Sequence, residues 1–238
     1  MFTCKQLIQM AAAPAVLGLI LVAPVQATTV TDGYVGSNAH GWDDVIGDAS
    51  EFDIQSMNVT VSGSVLTVSV STNFAGLGDN GLYSGYTYSG NGIGYGDLFL
   101  SSGWNPYGSA PYSSDSASNG TVWNYGFSLD DRYMSEGTAG TGTLYSLNSG
   151  NNLTDTLLSD NFITGATYRN GQEVAVNTRS GDVTAINSGS WYVDATGKTV
   201  NFSVDLAGTG LLGSNIGVRW EMTCANDAIE GGVSTVEF

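Results

Sequence analysis

The run Val65-Leu66-Thr67-Val68-Ser69-Val70-Ser71 decides the fold class, because its apolar and polar residues alternate strictly. Successive side chains of a β-strand point to opposite faces of the sheet, so Leu66, Val68 and Val70 share one face. The preceding segment, 57–61, alternates in the same way, and a Ser-Gly-Ser turn is short enough to join the two as a hairpin. The sequence here predicts two antiparallel strands with one buried face and one wet face.

The same period continues along the chain. The apolar residues between Trp123 and Leu129 alternate so that all four share one face of a further predicted strand. Hairpins are predicted at 168–172, which contains an Asn-Gly pair, and at 194–198. Helical spacing is confined to 152–158, enough for a turn or two. We expect ten to twelve strands and an all-β fold, an antiparallel β-sandwich of the jelly-roll or lectin-like kind.

Two long loops rich in Gly, Ser, Asn and Tyr separate the predicted strands, at 76–96 and 101–120. Loops of this length inside a compact domain are often functional or mobile. No linker, repeat or charge run divides residues 28–238, so the sequence predicts a single β-sandwich domain.

Residues 1–27 have the pattern of a secretory signal peptide. Lys5 precedes an apolar stretch at 11–23, and Val25-Gln26-Ala27 places small residues where a signal peptidase reads them. The apolar stretch is shorter than the roughly 20 residues that a membrane span needs, and Pro14 interrupts it. We therefore expect a secreted protein with no membrane span after the signal is removed.

The charge balance excludes nucleic acid as a partner. The chain has 22 acidic and 6 basic residues, a net charge of −16. Removal of the signal takes away one Lys and no acid, which leaves five basic residues and a net charge of −17. Phosphate binding needs clustered Lys and Arg, whereas the few cations here stand apart. The cleavage also removes Cys4, so Cys224 has no disulfide partner and is predicted to be a buried, inert thiol.

The sequence contains few side chains that match a known catalytic arrangement. His40 is the only histidine, it lies in a predicted loop, and no G-x-S-x-G motif accompanies it, which argues against a Ser-His-Asp triad. A zinc site of the His or Cys type lacks ligands. A glycosidase needs two facing carboxylates, and Glu136, Glu173 and Glu221 lie in three separate segments. A glycoside hydrolase therefore remains only the least favoured alternative.

Calcium is the cofactor that these residues favour, since it prefers carboxylate and amide oxygens. The candidate ligands form three groups: Asp32 with Asp43, Asp44 and Asp48; Asp79 with Asn80 and Asp97; and Asp130 with Asp131. None of these groups matches an EF-hand loop. Asp beside Gly or Asn also makes Asx-turns, so turn formation is the alternative for each group.

Aromatic residues in the two long loops offer faces on which sugar rings can stack. These candidate ligand-binding residues are Tyr83, Tyr86, Tyr88 and Tyr95 in the first loop, and Trp104 and Tyr107 in the second. The alternative is that they fill space beneath the loops.

Several segments resemble a known family. Trp42-Asp43-Asp44-Val45-Ile46-Gly47, together with Phe52-Asp53-Ile54, 71–76 and 96–100, resembles the N-terminal half of secreted bacterial proteins that carry a PEP-CTERM sorting tail. The stretch 217–231 is similar to the segment that precedes that tail. The resemblance implies export by a Gram-negative bacterium, often one embedded in exopolysaccharide, and a β-sandwich with no assigned activity. The Pro-Glu-Pro motif, apolar helix and basic cluster of that tail do not follow Val236.

The sequence thus favours a secreted, non-catalytic protein of the cell surface or extracellular matrix of a Gram-negative bacterium. We expect its partners to be polysaccharide or further copies of itself, joined through exposed strand edges or through flat Ser/Thr/Asn faces such as that of 65–71. A carbohydrate-binding module is the alternative function.

Overall fold

A computed structural model describes residues 27–37, 43–134 and 139–236, and twelve β-strands lie within them. The strands are β1 (Ala27–Thr31), β2 (Ile54–Ser62), β3 (Val65–Thr72), β4 (Leu98–Ser101), β5 (Tyr125–Leu129), β6 (Ala139–Leu147), β7 (Thr156–Leu158), β8 (Glu173–Val176), β9 (Val183–Asp194), β10 (Thr199–Asp205), β11 (Asn215–Glu221) and β12 (Ala228–Ser234). The helical turns are α1 (Ala49–Phe52), α2 (Asn152–Asp155) and two 3-10 turns at Ser84–Tyr86 and Ser159–Asn161. The predicted all-β antiparallel fold class is confirmed.

Ten strands form one antiparallel sheet that curls back on itself. Their order is β1-β2-β3-β10-β9-β6-β5-β4-β11-β12. The two edge strands lie together, since a Cβ added to Gly231 of β12 would be 2.6 Å from the side chain of Val30 in β1. Phe202 of β10 and Trp220 of β11 pack with ring centroids 6.5 Å apart, although four strands separate them in the sheet. The two halves of the sheet therefore face each other as the layers of a sandwich.

The core lies between these layers and uses the predicted alternation. Leu66, Val68 and Val70 are fully buried, and their antiparallel partners in β2 are buried as well. The hairpin between β2 and β3 turns at Gly63, whose φ of +60° lies in the left-handed region that favours glycine. The hairpin between β9 and β10, at 195–198, is also present. That residues 28–238 form a single domain stays a prediction.

The hairpin predicted at 168–172 is wrong. Strand β8 begins only at Glu173, after the predicted turn. Its antiparallel partner is β7, which ends at Leu158, so a long connection and not a tight turn joins the two strands. The chain before Gly171 is held by a side chain instead of a strand ladder, because the buried guanidinium of Arg169 donates to backbone carbonyls of other segments. Gly171 does adopt the positive φ expected of an Asn-Gly pair, but in a loop.

The shared face predicted from Trp123 to Leu129 is only partly present. Strand β5 begins at Tyr125, and Phe127 and Leu129 face the main core. Trp123 instead packs with Phe99 in a small second cluster, and its backbone N–H donates to the side chain of Asn152 at 3.0 Å. The side-chain bond replaces the ladder bond that a longer strand would have made.

A covering layer formed by the β7–β8 pair, the loop 101–121 and residues 32–37 packs on the outer face of β4, β5 and β11. A Cβ added to Gly126 of β5 would be 2.4 Å from Val176 of β8. Arg219 and Glu221 point outward from β11 and are nevertheless buried, because this layer covers them.

Three sequence predictions fall outside the described residues: the signal peptide apart from Ala27, with which β1 begins, the loop containing His40, and Glu136. Among the described residues, no helix has the length and apolar character that a membrane crossing requires.

Candidate functional site

A half-enclosed cavity of about 220 Å³ opens beside α1. Its lining comprises Gly47, Phe52, Tyr83, Tyr86, Ile93, Ile163, Ala166, Thr167, Tyr168, Cys224 and Asn226. The rim includes Tyr83 and Tyr86, which are 42% and 49% exposed. The floor is buried and mostly apolar.

Two loops pair to build the wall of this cavity. The backbone N–H of Tyr88 donates to the carbonyl of Phe162 at 3.0 Å, and the N–H of Thr164 donates to the carbonyl of Tyr86 at 2.8 Å. The ring of Tyr83 stacks on buried Phe52 with centroids 6.0 Å apart. The rim tyrosines are thus attached to paired backbone segments, and a little under half of each side chain is exposed.

The floor carries one polar atom without a partner. Asn226 is 4% exposed, and within the described chain its Oδ1 receives no hydrogen bond. A buried acceptor that is left unpaired is unfavourable, so it favours a ligand that donates to it. Nearby, burial raises the pKa of the Cys224 thiol, which keeps it protonated and apolar in character.

An acidic triad lies beside the cavity wall. One carboxylate oxygen from each of Asp32, Asp44 and Asp227 lies within 4.8 Å of the other two. Asp227 is held in place by N–H donors, Ile54 at 2.6 Å and Ala228 at 2.8 Å. Oδ1 of Asp32 and Oδ1 of Asp44 are buried atoms with no donor among the described residues.

Burial and mutual repulsion oppose ionisation of the triad's carboxyl groups. Burial, and then repulsion from Asp44, raises the pKa of Asp32 to about 7. Burial, and then repulsion from Asp32, raises the pKa of Asp227 to about 9. The ion pairs found in the described ranges do not include any of the three, and the nearby guanidinium of Arg169 supplies a single positive charge. Protons or a bound cation can balance the remaining negative charge at neutral pH. Three carboxylates at this spacing are suited to a hard divalent cation.

Arg169 ties the triad to the cavity. Its guanidinium donates to the carbonyls of Gly36 at 3.1 Å and Ala225 at 3.1 Å, and to those of Asp43 at 3.2 Å and Asp44. The same segments supply Gly47 and Asn226 to the cavity lining. Metal binding at the triad would therefore stabilise the wall of the cavity.

Of the predicted metal ligands, the structure places Asp32 and Asp44 in the acidic triad. Asp48 is exposed and caps α1, accepting from the N–H of Ser50 at 2.8 Å, which lowers its pKa. Asp43 is exposed and interacts with Arg169 through its carbonyl. Asp79 is also exposed.

Asp97 is separate from Asp79 and fully buried. It forms an ion pair with Arg132 at 3.1 Å and accepts backbone N–H bonds from Leu129 at 3.0 Å and Val176 at 2.7 Å. All of these donors belong to the protein, so the position of Asp97 indicates a structural role.

Asp130 and Asp131 are exposed and lie at the edge of a shallow depression. Asp130 accepts from the hydroxyl of Thr141, and Asp131 accepts from the N–H of Tyr133 at 3.2 Å. These contacts are those of polar turn residues.

The predicted aromatic residues are divided among several places. Tyr83 and Tyr86 line the cavity, while Tyr88 is 69% exposed outside it. Tyr95 is buried in the core. Trp104 and Tyr107 lie on the other long loop. The indole N–H of Trp104 donates to Glu230 at 2.8 Å, so this ring is partly engaged in the covering layer.

The two described carboxylates considered for glycosidase chemistry are buried beneath that layer. Glu221 lies 2.9 Å and Glu173 3.9 Å from the guanidinium of Arg219, and Glu230 lies 2.8 Å from it. Burial raises the pKa of Glu173 to about 8 and that of Glu221 to about 7. Covered in this way, they do not face a groove that could hold a glycan.

Asp227 and Asn226 are the site residues that the sequence predictions missed. Their signal was an Asn-Asp pair in the connection between β11 and β12, where a turn alone would explain the two residues. The tertiary fold brings them to residues almost two hundred positions earlier.

Comparisons of the chain with protein-family models, with curated proteins and with solved structures found no match.

Proposed function

We propose that this protein is a secreted, non-catalytic polysaccharide-binding protein of the extracellular matrix of a Gram-negative bacterium. The observation that carries the proposal is the cavity, with exposed Tyr83 and Tyr86 at its rim and the unpaired Oδ1 of Asn226 on its floor. Aromatic faces stack on the apolar face of a sugar ring, and a buried acceptor takes one of its hydroxyl groups. Its secretion is supported by the signal-like residues 1–27 and by the resemblance to PEP-CTERM proteins.

We further propose that calcium occupies the triad of Asp32, Asp44 and Asp227. Its role is to stabilise the segments that carry Gly47 and Asn226, not to take part in a reaction. Extracellular calcium is abundant enough to fill sites with dissociation constants of roughly 0.1 to 1 mM.

Polysaccharide is favoured over a second copy of the chain as the partner. The fold opposes self-association through strand edges, because the edge strands β1 and β12 lie against each other. Closing a sheet in this way removes most of the unpaired backbone that another copy would use.

The proposal is tested by affinity electrophoresis in gels that contain purified bacterial exopolysaccharides. We expect the wild-type protein to be retarded by at least one of them and Tyr86→Ala to lose the retardation. Tyr192→Ala is the matched control, since Tyr192 is 50% exposed on β9 and lies outside the cavity lining. Equal retardation of the wild type and Tyr86→Ala would contradict binding at the cavity, and unretarded migration in every gel would contradict the function.

A further inference from the structure

The size of the cavity limits what part of a polysaccharide it can hold. Its volume of about 220 Å³ is below the roughly 300–1,000 Å³ of pockets that enclose drug-sized ligands. One sugar ring matches this space, while an unbroken chain of rings would need an open groove. The cavity is therefore suited to the end of a chain.

The floor further restricts which ring fits. Ile93 and Ile163 are each 3% exposed, and the protonated thiol of Cys224 lies beside them. A hydroxymethyl group placed on this surface would bury a hydroxyl without a partner, which is unfavourable. A methyl group at the same position needs no partner and removes apolar surface from water.

The floor has one buried side-chain acceptor without a hydrogen-bond donor among the described residues. Asn226 lines the floor, and its Oδ1 is this acceptor, so a ligand hydroxyl that reaches this amide would satisfy it. The partly exposed side chains of Tyr83 and Tyr86 stand at the rim, where the sugar ring would lie.

We propose that the cavity binds the terminal 6-deoxyhexose of a bacterial polysaccharide. Its methyl group packs on the apolar floor, one ring hydroxyl donates to Asn226, and the ring stacks against the rim tyrosines. This inference rests on the proposed function and specifies the ligand of the same site.

The test is an NMR titration with two pairs of methyl glycosides, each pair differing by a single hydroxyl. The pairs are the α-L-rhamnoside with the α-L-mannoside, and the α-L-fucoside with the α-L-galactoside. We expect the 6-deoxy member of at least one pair to bind roughly tenfold more tightly or better. We also expect Ile163→Ser to reduce that preference, and Asn226→Ala to weaken both members, with circular dichroism to confirm folding.

The side chain of Tyr86 is half exposed, so the effect of Tyr86→Ala does not depend on the packing of the floor. Loss of glycoside binding in Tyr86→Ala, with binding kept in Tyr192→Ala, supports the assignment. Equal or tighter binding of the hydroxymethyl glycosides overturns the inference and leaves the proposed function standing. The inference also falls if polysaccharide binds but none of the four glycosides does. Failure of both polysaccharide and glycosides to bind overturns the proposed function as well.

Discussion

The buried surroundings of Glu173 oppose the ionisation of its carboxyl group. It is 2% exposed, it accepts from the amide of Asn152 at 2.8 Å, and the guanidinium of Arg219 is 3.9 Å away. Burial raises its pKa from 4.5 to about 8 in spite of that guanidinium. Between these two values the folded chain keeps a proton that the unfolded chain has released.

The stability of the protein should therefore fall as the pH rises. The contribution of Glu173 is complete below pH 4.5 and is lost as the pH reaches about 8. In Glu173→Gln, which keeps an acceptor for Asn152, we expect urea unfolding to depend less on pH between 5 and 9. Exposed Asp182→Asn is the control and should follow the wild type. An unchanged pH profile in Glu173→Gln would show that this carboxyl does not carry the dependence.

Gly96 allows two backbones to approach each other. A Cβ added there would be 2.1 Å from the carbonyl oxygen of Glu221, to which the N–H of Gly96 donates at 3.0 Å. We expect Gly96→Ala to lower the free energy of unfolding by about 2 kcal/mol or more, since the backbone must shift. Gly103→Ala meets nothing within 4 Å and is the control for chemical denaturation. Equal midpoints for the two variants would contradict this close approach.

At the scale of elements, Asp97 joins three strands. It precedes β4 and accepts from the N–H of Leu129 in β5 and of Val176 in β8, with Arg132 as its ion-pair partner. Its removal would leave two buried N–H groups and a cation unpaired. We expect Asp97→Ala to lose about 3 to 5 kcal/mol of stability with or without calcium.

The control for that variant is Asp131→Ala, whose side chain is exposed and should change stability by no more than about 0.5 kcal/mol. If Asp97→Ala lowers the stability only when calcium is present, the structural role is contradicted and Asp97 is a metal ligand.

The elements that the sequence predicted correctly are those whose pattern is local. Strands β2 and β3 alternate and share a short turn, so neighbouring residues contain the whole signal. The hairpin at 168–172 failed because Arg169 bonds to carbonyls far away in the chain. Such tertiary contacts leave no mark on the local pattern.

The candidate site shows the same limit at the scale of the whole molecule. Composition predicted oxygen ligands and aromatic faces, and Asp32, Asp44, Tyr83 and Tyr86 were among the predicted residues. Asp227 was missed, because only the closure of the sheet brings the chain after β11 to the N-terminal segments. Which acidic residues converge is decided by that closure.

If calcium occupies the folded triad as proposed, and not the unfolded chain, it should stabilise the whole molecule. We expect millimolar calcium to raise the melting temperature of the wild type and to have little effect on Asp44→Asn. Asp131→Asn should respond as the wild type does. An equal calcium response in Asp44→Asn would place the ion elsewhere.

On the same proposal, the affinity for calcium should increase with pH, because an ion at the triad would compete with protons for the carboxyl groups. The pKa values of about 7 for Asp32 and about 9 for Asp227 place most of the increase between pH 6 and pH 10. Calorimetric titrations at pH 6 and pH 9 measure it, and a pH-independent affinity would exclude these carboxyl groups as the ligands.

The most direct test of the account is hydrogen exchange measured with and without a polysaccharide that retards the protein. Binding at the cavity should slow the exchange in the segments that form it, 82–88 and 162–168, on addition of the polysaccharide. The loop around Trp104 and Tyr107 should exchange at the same rate in both samples. Protection confined to that loop, with the cavity segments unchanged, would contradict the claim that this protein binds polysaccharide through the cavity.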